Sequence, residues 1–151
     1  MTPLRVIGVG NTARGDDGVG PAVVERLAAM DLPGVTLLCR DGEGTALMAA
    51  WDGAQRVYLV DAMRSGCVAG SVHRLDAARE TVPADVFHYS SHAFGLAEAV
   101  ELARALGELP PTTVIYGVTG ADFGAGDRLS APVSMALEAL TERLAGELRD
   151  A

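Results

Sequence analysis

Short apolar runs alternate along the chain with segments whose apolar residues recur at helical spacing. The runs are rich in β-branched residues and are bounded by Gly, Asp or Pro, a pattern typical of buried strands. A further run, Gly70 to Leu75, is more polar and contains His73 and Arg74. Four strands are predicted from the strongest runs: Leu4 to Val9, Val35 to Cys39, Arg56 to Val60 and Thr112 to Val118.

Helices are predicted between the strands from apolar spacing and from residues that favour helix starts. Pro21 suits the first turn of a helix that follows a Gly-rich loop. Thr45 is the predicted cap of a short second helix, and Ser90 or Ser91 that of a third. Ser130 is the predicted cap of the last helix, which carries a stripe of apolar residues.

This alternation of strand and helix predicts an α/β protein. Near-continuous apolar strands must be covered on both faces, so we expect a three-layer αβα sandwich around a mostly parallel sheet of about five strands. The polar run from Gly70 to Leu75 suits an edge strand that could run antiparallel to the third strand. Residues 1–151 are interpreted as a single domain.

Composition narrows the chemistry that the chain can perform. All 12 basic residues are Arg, which excludes lysine chemistry, and 20 Asp plus Glu give a net charge of −8. An acidic protein of pI near 4.7 does not suit nucleic acid as a partner. The two cysteines fit a reducing compartment, with Cys39 expected in the core. Without a signal-like start or a membrane-length apolar run, we expect a cytoplasmic protein that has no membrane contact.

Several carboxylates follow the predicted strands directly. Ligands bind at the carboxyl ends of the strands in parallel sheets, and these acids all fall at that edge. An acid at the end of an apolar strand is costly unless it is paired or solvated in a cleft, which favours a functional role for Asp61. Asp16, Asp17 and Asp41 could instead be turn residues. The acids at this edge are Asp16, Asp17, Asp41, Glu43 and Asp61.

His92 is the histidine that the pattern places nearest to these acids. It is predicted in the first turn of the third helix, where the helix dipole disfavours imidazolium. One neutral nitrogen and two carboxylates can hold a divalent metal with open positions. A solvated polar residue in a first turn is the alternative interpretation of His92.

Five motifs, in this order and spacing, resemble the hydrogenase maturation endopeptidases over almost the whole chain. The resemblance implies an αβα domain that removes a C-terminal extension from the large-subunit precursor of nickel-iron hydrogenase after nickel insertion. It also implies that nickel is carried by the precursor and that other divalent metals could substitute. The motifs are Ile7-Gly8-Val9-Gly10-Asn11, Gly15-Asp16-Asp17-Gly18-Val19-Gly20, Asp41-Gly42, Val60-Asp61-Ala62 and Ser91-His92-Xaa-Xaa-Gly95.

By these motifs the family's catalytic and metal-contacting positions fall on Asp17, Asp61 and His92, with Asp16 and Asp41 as possible support. The first family acid is commonly Glu, whereas this chain has the shorter Asp17. Glu43 interrupts the usual Asp-Gly-Gly-Thr and is expected to add a carboxylate near the substrate cleft. Hydrolysis could use a metal-polarised water or a carboxylate general base, and both routes stay open.

Three other functions compete with the peptidase. Gly8 to Ala13 fits the dinucleotide fingerprint, but two acids then occupy the place of the pyrophosphate. A phospho-receiver module would also place acids after strands one and three, but it needs a lysine that this chain lacks. A catalytically inactive family member that binds the precursor is the third.

Overall fold

A computed structural model describes residues 3–87 and 93–151 of the chain. Five strands form one sheet in the order β2-β1-β3-β5-β4. The pairs β2-β1, β1-β3 and β3-β5 are parallel, while β4 pairs antiparallel with β5, so the predicted mixed α/β sheet is confirmed. The strands are β1 (Leu4–Val9), β2 (Val35–Arg40), β3 (Arg56–Met63), β4 (Val72–Asp76) and β5 (Thr112–Thr119).

The predicted neighbour of β4 was wrong. This strand lies at the edge of the sheet as expected, but it pairs with β5 rather than with β3. β5 lies between the two, since its parallel register with β3 runs over eight residue pairs, from Arg56–Thr112 to Met63–Thr119. A half-exposed strand such as β4 suits the position with one open side.

Helices cover both faces of the sheet. One apolar cluster joins the sheet to α1 and α4, and a second joins the opposite face to α2 and α3. Alternate residues of each strand supply the two clusters, as β geometry requires. The helices are α1 (Val19–Ala28), α2 (Gly44–Trp51), α3 (Leu96–Leu106) and α4 (Ala131–Arg149), with a 3-10 turn at Gly15–Gly18.

Two of the predicted helix starts were wrong. The Glu43 side chain, not Thr45, caps α2, because its carboxylate reaches the backbone N–H groups of Thr45 and Ala46. The third helix begins at Leu96, after Gly95, so a cap at Ser90 or Ser91 is too early. Ser130 does occupy the position before α4, although its side chain does not cap that helix.

Close backbone packing sets α1 directly on the strands that carry the candidate residues. A Cβ on Gly20 would lie 2.3 Å from the carbonyl oxygen of Val60, and one on Gly8 would lie 2.5 Å from that of Gly20. The Gly-rich stretch therefore serves helix-to-sheet packing. Cys39, expected in the core, is exposed on β2. Among residues 3–87 and 93–151, no helix is both long and apolar enough to span a membrane.

Candidate active site

A narrow cleft opens at the carboxyl edge of the sheet, beside the ends of β1, β2 and β3. The free space in the cleft, together with the open solvent at its mouth, is about 250 Å³. Three of the five sequence-predicted acids contribute to its walls, together with apolar side chains from both sides of the segment 88–92. The lining residues are Val9, Gly10, Asp17, Asp41, Gly42, Asp61, Phe87 and Leu96.

Asp17 is held in the cleft by the loop that follows β1. The 3-10 turn buries it to 5% exposure, and its Oδ2 accepts the backbone N–H of Asn11 at 2.8 Å. A Cβ on Gly10 would lie 1.8 Å from the Asp17 carbonyl oxygen. Gly10 is therefore required for this loop to fold back, which brings the Asp17 side chain to the end of β1.

Asp61 lies within β3 rather than at its end, because the strand continues to Met63. It is 4% exposed and pairs with Gly117 of β5. Leu59 and Met63, its neighbours at alternate positions, belong to the cluster that faces α2 and α3, so Asp61 projects from the same face. This is an unusual place for a carboxylate, since the other β3 residues that share this buried face, Val57, Leu59 and Met63, are apolar.

Asp41 combines the two roles that the sequence left open. Its Oδ1 accepts the backbone N–H of Glu43 at 3.1 Å, which is the contact of a turn-forming aspartate. It also lines the cleft with Gly42. Glu43 does not line the cleft as expected, because its carboxylate is directed to the start of α2.

Asp16 is fully buried and its carboxylate is turned toward the loop between β5 and α4. Oδ2 accepts the backbone N–H groups of Ala121 at 2.7 Å and Asp122 at 3.0 Å, and the Ser130 hydroxyl at 2.8 Å. Oδ1 accepts the Ser130 N–H at 2.7 Å. Burial raises the pKa of Asp16, but these hydrogen bonds outweigh it and hold the pKa below its ordinary value.

His92, like His88, lies outside the described residues, and the expectation that it falls in the first turn of the third helix was wrong, because α3 begins at Leu96. Phe87, which precedes residues 88–92, and Leu96, which follows them, both line the cleft. The backbone N–H of Gly44 donates to the Phe94 carbonyl at 2.8 Å. A Cβ on Gly44 would lie 2.3 Å from the Phe94 ring, so α2 begins directly against Phe94.

Phe87 and Gly117 were not anticipated as parts of the site. A Cβ on Gly117 would lie 2.4 Å from the Met63 sulfur and 3.2 Å from the Phe87 ring. The absence of a side chain next to Asp61 thus makes room for the ring that lines the cleft. An isolated glycine inside a strand indicates such close approach, and this signal was present in the sequence.

Two buried carboxylates at one opening can bind a divalent cation or transfer a proton to and from a water molecule. Asp17, Asp41 and Asp61 come from three different loops or strands, so their meeting depends on the assembled sheet. Within the part of the chain that the structure describes, no three His, Cys, Asp or Glu side chains are grouped closely enough to hold a metal ion.

A family model described as hydrogenase maturation protease, HycI, matches residues 21–147. The chain belongs to the hydrogenase maturation protease family. It is therefore a peptidase, as the sequence motifs implied. The hydrogenase expression/formation protein HupD of Thiocapsa roseopersicina is 27% identical over 150 residues, which cover 92% of this chain and 68% of HupD.

Solved structures of maturation proteases share the fold. The hydrogenase maturating endopeptidase HybD from E. coli superposes with a TM-score of 0.82 at 26% identity, over 99% of this chain and 93% of that one. The [NiFe] hydrogenase maturation protease HycI from Thermococcus kodakarensis gives 0.72 at 26%, over 98% and 93%. The dinucleotide-binding alternative is not favoured. The backbone N–H of Asn11, inside the Gly8 to Ala13 fingerprint, already donates to the Asp17 carboxylate.

Proposed function

We propose that this maturation protease removes the C-terminal extension of a nickel-iron hydrogenase large-subunit precursor after nickel insertion. The observation that carries the proposal is the shared cleft of Asp17 and Asp61, two buried carboxylates that arrive from separate elements. Carboxylates are seldom buried, and buried titratable groups that line a cleft are typical of active sites. The cytoplasmic location stays a prediction.

In this proposal the nickel belongs to the substrate. Asp17, Asp61 and His92 contact the ion, which positions the adjacent peptide bond at the cleft. His92 can contribute because Phe87 and Leu96, on either side of its segment, line that cleft. A precursor without nickel would present no such ion, so cleavage would report a completed metal site.

The water that attacks the peptide bond can be activated by the ion or by a carboxylate acting as general base. Precursor loaded with cobalt or zinc in place of nickel separates these routes. A rate that changes with the acidity of the ion's bound water supports activation by the metal. An unchanged rate supports a carboxylate base, with the ion serving to position the bond.

The test is to incubate the protein with nickel-loaded precursor and follow loss of the tail by mass spectrometry. Asp61→Asn and His92→Ala should each slow cleavage by at least about a hundredfold, as expected for an acid, a base or a metal contact. Asp31→Asn, an exposed acid between α1 and β2, is the matched control and should cleave at the wild-type rate.

Cleavage by Asp61→Asn or His92→Ala at the unmodified rate would show that the site is assigned to the wrong residues. Binding of the precursor by the wild-type protein with no loss of the tail would instead indicate the inactive, precursor-binding alternative.

A further inference from the structure

The two most exposed large apolar side chains of the described residues lie on two neighbouring elements at the carboxyl edge of the sheet. Val68 is 81% exposed in the loop between β3 and β4, and Met135 is 77% exposed on α4. A Cβ on Gly70 would lie 2.6 Å from the Pro132 carbonyl oxygen, so the Val68 loop rests against the first turn of α4. Met135 follows Pro132 by one helical turn.

The loop that presents Val68 is fixed by hydrogen bonds at both ends. The N–H of Gly70 donates to the Thr119 carbonyl at 2.8 Å, and the N–H of Thr119 donates to that of Ser71 at 2.9 Å. At the other end, the Ser65 hydroxyl lies 2.8 Å from that of Thr119 and accepts the N–H of Cys67 at 3.2 Å. Val68 is thus held out to solvent on an ordered loop.

This surface lies at the same carboxyl edge of the sheet as the cleft, on the side of α4, whereas Asp61 projects toward α2 and α3. Asp61 pairs with Gly117, and Met63 pairs with Thr119, to which the loop is anchored. Two residues along a strand span about 7 Å, so the base of the loop stands about that far beyond the row of Asp61. A body that places a peptide against Asp61 from outside the sheet edge would meet the Val68 loop.

We propose that Val68, Pro132 and Met135, together called the rim surface, form an apolar docking site for the folded body of the protein substrate. The inference rests on the proposed function. The cleft is narrow and is lined by only eight residues, so it can contact only a short stretch of chain. Stable recognition of a folded protein buries about 800 Å² on each partner, so most of the contact must lie around the cleft.

Ordered apolar side chains suit this role, because little conformational entropy is lost when a partner covers them. The occupant is then the precursor, whose scissile segment enters the cleft while its body covers the rim surface. A second copy of the chain is the alternative occupant that the experiment must separate.

The experiment compares wild-type protein with Val68→Asp, Met135→Asp and the double variant. Cleavage of nickel-loaded precursor gives kcat and KM, and biolayer interferometry gives Kd for the same precursor. Leu106→Asp is the matched control, since Leu106 is 57% exposed but ends α3 at the opposite edge of the sheet. Val68→Ser and Met135→Gln repeat the test with milder changes, and thermal unfolding confirms that each variant is folded.

The double variant should raise KM and Kd about tenfold with kcat within twofold of wild type, while Leu106→Asp changes neither. Unchanged KM and Kd, or a loss confined to kcat, would overturn the proposal. Sedimentation could also show that the wild-type protein is a dimer and that the rim variants dissociate it. That result would assign the surface to a second copy and overturn the proposal.

If wild-type protein binds but does not cleave, and the rim variants lose binding, the docking site stands and the proposed function fails. If wild-type protein neither binds nor cleaves, both are wrong.

Discussion

Asp16 and Asp17 are adjacent in the chain, but their side chains face different partners. Asp17 lines the cleft, whereas Asp16 accepts four hydrogen bonds from the loop that leads into α4. Both oxygens of Asp16 meet N–H or O–H donors near the start of that helix, where a negative charge is favoured. The two acids thus fix the same 3-10 turn from opposite sides.

Asp16→Asn should lower the free energy of unfolding at neutral pH by about 1–3 kcal/mol, because the amide lacks the charge and brings its own donors against the N–H groups. Hydrogen bonds hold the pKa of Asp16 below its ordinary value despite its burial, so the carboxylate stabilises the fold above that value. The stabilisation is lost as pH falls below about 4, the ordinary range for Asp.

Urea unfolding of wild type and Asp16→Asn at neutral and acidic pH checks this prediction. The difference between the two proteins should narrow as the pH is lowered. A difference that stays constant down to the acid limit of folding would mean that the charge of Asp16 does not carry the effect.

Gly117→Ala should destabilise the protein by about 1–3 kcal/mol, as for other overpacked core positions. The added methyl group would overlap the Met63 sulfur and press on the Phe87 ring. Gly146→Ala in α4 is a control of opposite sign, since a Cβ there meets nothing within 4 Å and alanine favours helix by up to about 1 kcal/mol. Thermal unfolding of both variants measures the two changes in melting temperature. A Gly117→Ala variant that melts at or above the wild-type temperature would contradict the packing described at Gly117.

At the level of elements, the start of α2 is fixed by a side-chain cap and by a close glycine contact. The Glu43 carboxylate accepts N–H groups of the first turn, and Phe94 packs against Gly44. The cap and the glycine together seat α2 against the segment that leads into α3. Glu43, the residue that interrupts the Asp-Gly-Gly-Thr motif, therefore caps α2 and does not line the cleft.

Glu43→Ala should lower the free energy of unfolding by about 1 kcal/mol, the usual effect of losing an N-cap. Thr45→Ala should change it by less than about 0.5 kcal/mol, because Thr45 supplies only a backbone N–H to the cap. Denaturant unfolding of the two variants distinguishes these roles. The prediction fails if Thr45→Ala proves the more harmful change.

For the whole molecule, sheet position should set the order of hydrogen exchange. β3 is buried and paired on both sides, whereas β4 is half-exposed and pairs only with β5 among the described strands. Amides of β3 should therefore exchange most slowly, and those of β4 faster. Exchange followed by NMR or mass spectrometry tests this order, which equal protection of the two strands would contradict.

Sequence patterns predicted the features that depend on local, repeated spacing of apolar residues. The strands, the parallel sheet and the edge at which Asp17, Asp41 and Asp61 lie follow from apolar runs and from the geometry of parallel sheets. The direction of the Asp16 side chain was beyond such reasoning, because its partners lie more than a hundred residues away in the chain. The neighbour of β4 depends on long-range pairing in the same way.

The sheet order has a consequence for a chain that is being synthesised. β4 is made before β5, yet it pairs with β5 alone among the described strands, and the Val68 loop is anchored to Thr119 at the end of that strand. The partners of Asp16 are translated later still. A nascent chain that stops short of these residues has neither an anchored β3–β4 loop nor a supported Asp17 turn. Folding of both is therefore expected to wait until residues 112–130 have been translated.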